Sequence, residues 1–303
     1  MTRPPGAARL SVLFVADSDR LETQSWFLAA SLAQVHEGRA HRMLAYVSAA
    51  RMPKVSRVTR DLYEACGVDL RLLPDPPDWR RPYPHGNKLV AAADLRDTPR
   101  AVFLDTDMVC LGPLDALAEL PDDTVAAAPE GVATWGGEGD RWARAYAHFG
   151  LPLPQERIRL LRGRKREFVP YFNAGLVAFP DTSRTDGAPR FAERWIETAV
   201  DFDRTCSIGG KRPWLDQITL PLTLARFGYR TRVLDGTWNH SLARRRDPEA
   251  ARAARVLHYH RFRHLAEGPA WPEILEGFRA RLPARHHAAA EAVLAAEGLV
   301  PAR

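Results

Sequence analysis

Cysteine is scarce: Cys66, Cys110 and Cys206 are the only three in 303 residues. Widely spaced and odd in number, they make neither a disulfide framework nor a clustered thiolate metal site, and they fit a reducing cytoplasm. Long apolar runs are also missing, and none approaches the roughly 20 residues of a membrane span. Residues 1–9 carry two arginines and a Pro-Pro-Gly. The apolar stretch that follows, residues 10–16, is too short for a secretory segment and reads as a strand, so a cytoplasmic chain without a transmembrane segment is expected. There is no internal repeat. The formal net charge is +6, with basic residues concentrated in 157–166 and 244–263. No nucleic-acid-binding motif accompanies that charge, so no nucleic-acid partner is expected. The excess either favours an anionic ligand or surface or reflects the general Ala, Arg and Pro richness.

What is present is an alternation of elements. Apolar β-favouring runs at 10–16, 41–48, 68–73 and 101–104 alternate with helical periodicity at 21–35, 55–66 and 86–95. Five prolines in 74–84 mark a loop. Further on, 124–128, 168–179, 229–234 and 255–259 read as strands. Residues 140–149, 189–200 and 214–227 read as helices, the last interrupted by Pro221. Residues 129–139 form a glycine-rich and mobile segment. Such alternation predicts an α/β fold with a mostly parallel, doubly wound sheet and helices on both faces. Residues 1–264 are expected to form one domain, and 265–303 a helical extension packed on it.

Chemistry concentrates at strand ends, where open α/β sheets bind ligands. The 101–104 strand stops in Asp105 and Asp107, the two carboxylates of an Asp-x-Asp. Hard oxygens at this spacing either sit in a solvated turn or hold a divalent cation, and the cation can hold a diphosphate. Two enzyme classes use such a terminus. One is a metal-dependent sugar-nucleotide transferase. The other is a haloacid-dehalogenase-type phosphatase, whose fold usually opens with that strand; here three strands precede it. Asp17 and Asp19 end the first strand, as nucleotide contacts or as caps of the following helix. Lys88 is a surface lysine or a cation for phosphate or sugar. Residues 171–177, YFNAGLV, put Asn173 and Gly175 in mid-strand, where a bulge or a close approach of ligand is the reason to give up packing. Asp216 and Gln217 open a helix as a first-turn acid and its neighbour, or as partners for sugar hydroxyls. His258, Tyr259 and His260 end the last strand. A histidine there is a structural residue or a third metal ligand. Arg261 and Arg263 follow, and such cations suit a diphosphate.

In this order FVADSD, Lys88, FLDTDMVCLGPLD, YFNAGLV, LDQ (215–217), Trp238-Asn239 and LHY resemble the family 8 glycosyltransferases of the GT-A fold, a group that includes glycogenin and the bacterial lipopolysaccharide galactosyltransferases. The resemblance spans about residues 10–264. It implies retaining transfer of a hexose from a nucleoside diphosphate sugar, usually UDP-linked, with Mn²⁺ or Mg²⁺. By it, Asp105, Asp107 and His258 hold the metal, and Asp105 also faces the ribose. Asp17 and Asp19 contact the nucleotide, and Lys88, Asn173, Asp216 and Gln217 line the donor sugar and the reacting face. The acceptor, whether glycan, lipid-linked molecule, protein or small molecule, is not named by it, though residues 131–139 and 157–166 are expected to form a lid or acceptor surface. Two positions depart from the family pattern. Ile218 stands where a further Asp is common, and Arg261 and His264 replace a Gly and a Lys after the metal histidine. They keep a non-catalytic nucleotide-sugar binding protein, like the metal-dependent phosphatase, as an alternative.

Overall fold

The computed structural model describes residues 8–162, 166–182, 187–243 and 247–301. Parts of both basic runs, at 163–165 and 244–246, fall outside the described residues. The elements in chain order are β1 (Leu10–Val15), α1 (Asp19–Val35), β2 (His41–Val47), α2 (Arg57–Cys66), β3 (Val68–Leu72), α3 (Asn87–Ala93), β4 (Arg100–Leu104), β5 (Met108–Cys110), α4 (Asp115–Ala118) and β6 (Thr124–Pro129). They continue with α5 (Arg141–His148), β7 (Ile158–Arg159), β8 (Glu167–Phe168), β9 (Phe172–Pro180), α6 (Phe191–Thr205), α7 (Leu215–Phe227), β10 (Arg230–Val233) and β11 (His240–Ser241). The last are α8 (Pro248–Arg252), β12 (Val256–His258), α9 (Phe262–Ala266), α10 (Trp271–Arg281) and α11 (His287–Ala296). The fold is mixed α/β. No helix among the described residues is long and apolar enough to cross a membrane.

The chain forms two compact units. The first comprises Met1–Leu73, Leu104–Ala118 and Thr237–Arg303; the second, Pro74–Phe103 and Glu119–Gly236.

In the first unit β1, β2 and β3 are parallel neighbours in that order. Every residue of β1 is buried, as expected for a parallel strand covered on both faces. Ser18, not Asp17 or Asp19, caps α1: its side chain accepts from Leu21 N at 3.2 Å. Ser56 caps α2, and Gly67 closes it at φ +70°, the left-handed conformation a glycine adopts without strain. A three-residue strand that the sequence pattern did not mark, β5, pairs antiparallel with β12, which pairs parallel with β11. The Cys110 backbone N–H donates to Ser31 Oγ of α1 at 3.1 Å, anchoring this small sheet. The C-terminal helices also pack on α1: Trp26 stacks on Phe278, and the Phe27 ring meets Trp271 edge-on with centroids 5.4 Å apart.

In the second unit the strand order is β10-β6-β9-β4, with β10 parallel and β9 antiparallel to β6. Helices α3, α6 and α7 pack together, and α7 lies on β9. Within residues 129–139, the glycine-rich segment expected to be mobile, two positions pack against α5. Trp135 is buried edge-on against Trp142, with centroids 4.9 Å apart. Gly136, at φ +60°, lets the Trp142 indole come so near that a Cβ there would lie 2.6 Å from its Nε1.

Glu22, on the buried side of α1, holds the segment between β2 and α2. Its carboxylate accepts from Ser56 N at 2.9 Å, from Thr59 Oγ1 at 2.6 Å and from the Arg51 guanidinium. Burial pushes its pKa up, but these hydrogen bonds outweigh it, and the net shift is below the ordinary 4.5. The native carboxyl therefore binds a proton less readily than the unfolded one. The stabilisation is complete above the unfolded value and is lost as pH falls through the lower native value. Glu22→Gln is expected to cost about 2 kcal/mol at neutral pH, with a difference from wild type that shrinks below pH 4. Urea denaturation midpoints measured from pH 3 to 7 check both.

Candidate functional site

The chemistry-bearing residues of the first unit meet because of one register. Antiparallel pairing sets His258 opposite Met108, and the Tyr259 N–H donates to the Asp107 carbonyl oxygen at 3.0 Å. Residues far apart in sequence are thereby held side by side, and His258 Nε2 lies 3.1 Å from Asp107 Oδ1. His258 is buried and Asp107 half-buried. The other ring nitrogen, Nδ1, is 3.0 Å from Asn239 Oδ1. An amide oxygen only accepts, so Nδ1 donates to it, and Nε2 is the nitrogen that faces the carboxylate. Two electron-rich atoms at this distance are compatible only if a proton or a cation lies between them. A ligating histidine held by a partner on its second nitrogen is the usual arrangement at metal sites.

A third group joins them. Ligand atoms of Asp107, His258 and His260 all lie within 4.8 Å of one another. One carboxylate and two imidazoles form a donor set that fits a divalent transition-metal ion. Asp105, one residue beyond β4, is half-buried and lies outside this trio. Asp17 ends β1, and its carboxylate accepts from the Ser48 N–H at 2.7 Å, tying the ends of β1 and β2 together. Asp19 starts α1 with an exposed carboxylate paired to Arg51 at 2.5 Å. Arg261 precedes α9 and Arg263 lies within it; both are exposed.

The second unit holds a buried ion pair. Lys88 of α3 meets Asp216 at 2.8 Å, with side chains 11% and 6% exposed, so Lys88 is no surface lysine. Lys88 Nζ also donates to the Ala174 carbonyl oxygen at 3.2 Å. Asp216 Oδ1 accepts from the Tyr83 hydroxyl at 3.0 Å. Burial and the Asp216 charge both push the Tyr83 phenol up from its ordinary value, so it stays protonated and a donor. Both Asp216 oxygens are thus engaged, one by each partner.

Two further side chains are oriented from β9. Asn173 interrupts the strand: its Oδ1 accepts from the Gly175 N–H at 2.9 Å, and its Nδ2 donates to Glu130 Oε2 at 2.9 Å. Tyr171 donates its hydroxyl proton to Gln217 Oε1 at 2.9 Å and contacts Thr134 Oγ1 at 2.7 Å. Ile218, the residue after Gln217, is wholly buried in α7. It occupies a core position. Glu130, His260 and Asn239 were not among the residues assigned roles from sequence. For His260 the signal was present, since His258 and His260 repeat the two-residue spacing of Asp105 and Asp107. Glu130, after a strand of alanines, carries no such sign.

Removing one partner of the buried pair leaves an uncompensated charge. Lys88→Met is expected to cost about 3–5 kcal/mol. Combining it with Asp216→Asn removes the orphaned carboxylate and is expected to recover more than half of that loss, measured by urea denaturation of the two variants and wild type.

Among solved structures, the chain is similar to galactosyltransferase LgtC in complex with donor and acceptor sugar analogues, at 16% identity, covering 92% of this chain and 99% of that one with a TM-score of 0.54. It is also similar to the apo form of mouse xyloside xylosyltransferase 1, at 15% identity, with coverage of 84% and 97% and a TM-score of 0.50. A third is the apo bifunctional glycosyltransferase WbbM, at 14% identity and a TM-score of 0.52, where 91% of this chain matches 53% of that one. The chain thus spans about half the length of WbbM. These likenesses establish the GT-A fold. No curated protein sequence matches the chain. The sequence model of the Rhodobacterales glycosyltransferase domain matches residues 12–228, from β1 to the end of α7, and the chain belongs to that family of glycosyltransferase domains.

Proposed function

We propose that the chain transfers a hexose from a nucleoside diphosphate sugar, UDP-linked, to an acceptor hydroxyl with retention of configuration, assisted by Mn²⁺ or a related divalent cation. The observation that carries this reading is the meeting of Asp107 and His258 at 3.1 Å, with Asn239 fixing the imidazole. A bound cation neutralises the charge that builds on the departing diphosphate, so it favours the transition state over the ground state.

The remaining roles fall to the side chains. Asp107 and His258 ligate the cation, with Asp105 reaching it or the ribose. Asp17 and Asp19 stand at the nucleotide, and Arg261 and Arg263 supply positive charge for the diphosphate. Lys88, Asn173, Asp216 and Gln217 hold the sugar and the reacting face. A haloacid-dehalogenase-type phosphatase fits less well, because β1, β2 and β3 all precede the strand that ends in Asp105.

Retention calls for a protein nucleophile or for front-face attack guided by the leaving phosphate. Asp216 is a poor nucleophile with one oxygen on Lys88 and the other on Tyr83. Gln217 is no better, since its Oε1 accepts the Tyr171 proton. Both observations favour front-face attack. Incubation with donor alone, followed by intact-mass and peptide mass spectrometry, should find no glycosyl adduct; an adduct on Asp216 overturns the front-face route.

The main test screens nucleotide sugars for Mn²⁺-dependent donor hydrolysis or transfer. Asp107→Ala should lower turnover at least about 100-fold with an unchanged circular dichroism spectrum. A chelator should abolish activity and added Mn²⁺ restore it. Normal turnover by Asp107→Ala, or indifference to chelation, overturns the proposal.

A further inference from the structure

We propose that His260 is a ligand beside Asp107 and His258, and that this set of one carboxylate and two imidazoles makes the site prefer a borderline transition metal, such as Zn²⁺ or Co²⁺, over Mg²⁺. This rests on the reading of the Asp107–His258 pair as a cation site and adds to it the number of imidazoles and the class of ion.

Three observations converge on His260. Its ligand atom lies within the 4.8 Å trio. Its backbone sits at φ +59°, and among the described residues no other non-glycine has a positive φ. That conformation is unfavourable for an L-residue and persists where surrounding structure imposes it, often at functional positions. Here it follows directly on β12 and turns the His260 ring back onto His258, with centroids 3.8 Å apart and planes 35° apart. Finally, Ser241 Oγ lies 2.9 Å from His260 Nε2. Ser241 is the register partner of His258 on β11, so the small sheet that places one imidazole also fixes the other.

Each ring has one nitrogen held by its own partner, Asn239 or Ser241, and together with the Asp107 carboxylate the two imidazoles make a nitrogen-rich donor set. Imidazole ligands suit Zn²⁺, Co²⁺ and Ni²⁺, whereas Mg²⁺ prefers oxygen and retains its waters. An all-oxygen set at the Asp-x-Asp would select differently.

The test uses the full chain and metal alone, with no donor. Co²⁺ absorption and calorimetric titration with Zn²⁺, Mn²⁺ and Mg²⁺ are compared for wild type, Asp107→Ala and His260→Asn. Asparagine tolerates the left-handed conformation and removes the imidazole; His260→Gly serves the same purpose if the first variant does not fold. Wild type is expected to bind Zn²⁺ and Co²⁺ at least about 100-fold more tightly than Mg²⁺. His260→Asn should weaken Zn²⁺ at least about 10-fold, alter the Co²⁺ spectrum, and leave Mg²⁺ affinity unchanged. If metal binds and is lost in Asp107→Ala, but His260→Asn matches wild type in affinity and spectrum, His260 is no ligand and the underlying cation site stands. Equal affinity for Mg²⁺ and Zn²⁺ in wild type overturns the preference. No binding of any ion to wild type overturns the cation site as well.

Discussion

The antiparallel pairing of β5 with β12 is the constraint on which the metal-type cluster depends. It is only three residues on each side, yet it makes Asp107, His258 and His260 neighbours. Short strand pairs are weak by themselves, so this one needs support. The support comes from α1, where Ser31 accepts from the β5 backbone, and from Tyr259, which is wholly buried and donates its N–H back to Asp107. Position is thus fixed by the backbone, and the three side chains inherit that precision. Asn239 and Ser241, flanking the start of β11, then orient the two rings from the same small sheet.

The second unit uses a different means, burial of charge. An ion pair with side chains 11% and 6% exposed costs desolvation that its Coulomb attraction only partly offsets. The expense is met by filling every oxygen of Asp216 and by giving Lys88 a backbone carbonyl as well. Such an arrangement is rigid, since any rotamer change would strand a charge away from water. Asn173 is rigid for a related reason, with its amide fixed at both ends by Gly175 and Glu130. Rigid polar groups suit the recognition of hydroxyls, where a loosely held donor loses entropy on binding.

The short apolar runs were the legible part of the fold. Residues 10–16, 41–48 and 68–73 read as strands and form β1, β2 and β3; β1, buried throughout, is an uninterrupted apolar run, whereas β3 alternates apolar and charged residues and is buried only at Val68. The 168–179 segment was harder, since Asn173 and Gly175 break its pattern, and the strand begins only at Phe172. β5 escaped because three residues carry no periodicity, and with it went the register that defines the site. In residues 129–139 glycines signal freedom in the sequence, but Gly136 makes room for the Trp142 ring. Lys88 stayed open between a surface lysine and a cation for phosphate or sugar, because only the structure shows its buried partner Asp216.

The departures from the family 8 pattern take different meanings once placed. Ile218 follows Gln217 on α7 and is wholly buried, so an acid there would have to be desolvated. The contacts of Asp216 with Lys88 and Tyr83, and of Gln217 with Tyr171, are made without it. Arg261 stands before α9, exposed and next to His260. A glycine at that position would make a flexible link; an arginine adds a fixed charge directly after two imidazoles. Positive charge of this kind favours an anionic ligand, while beside a bare cation it costs affinity unless a negative group lies between them. On the proposed reading, cation and diphosphate would therefore arrive together, with the diphosphate screening the arginine from the metal.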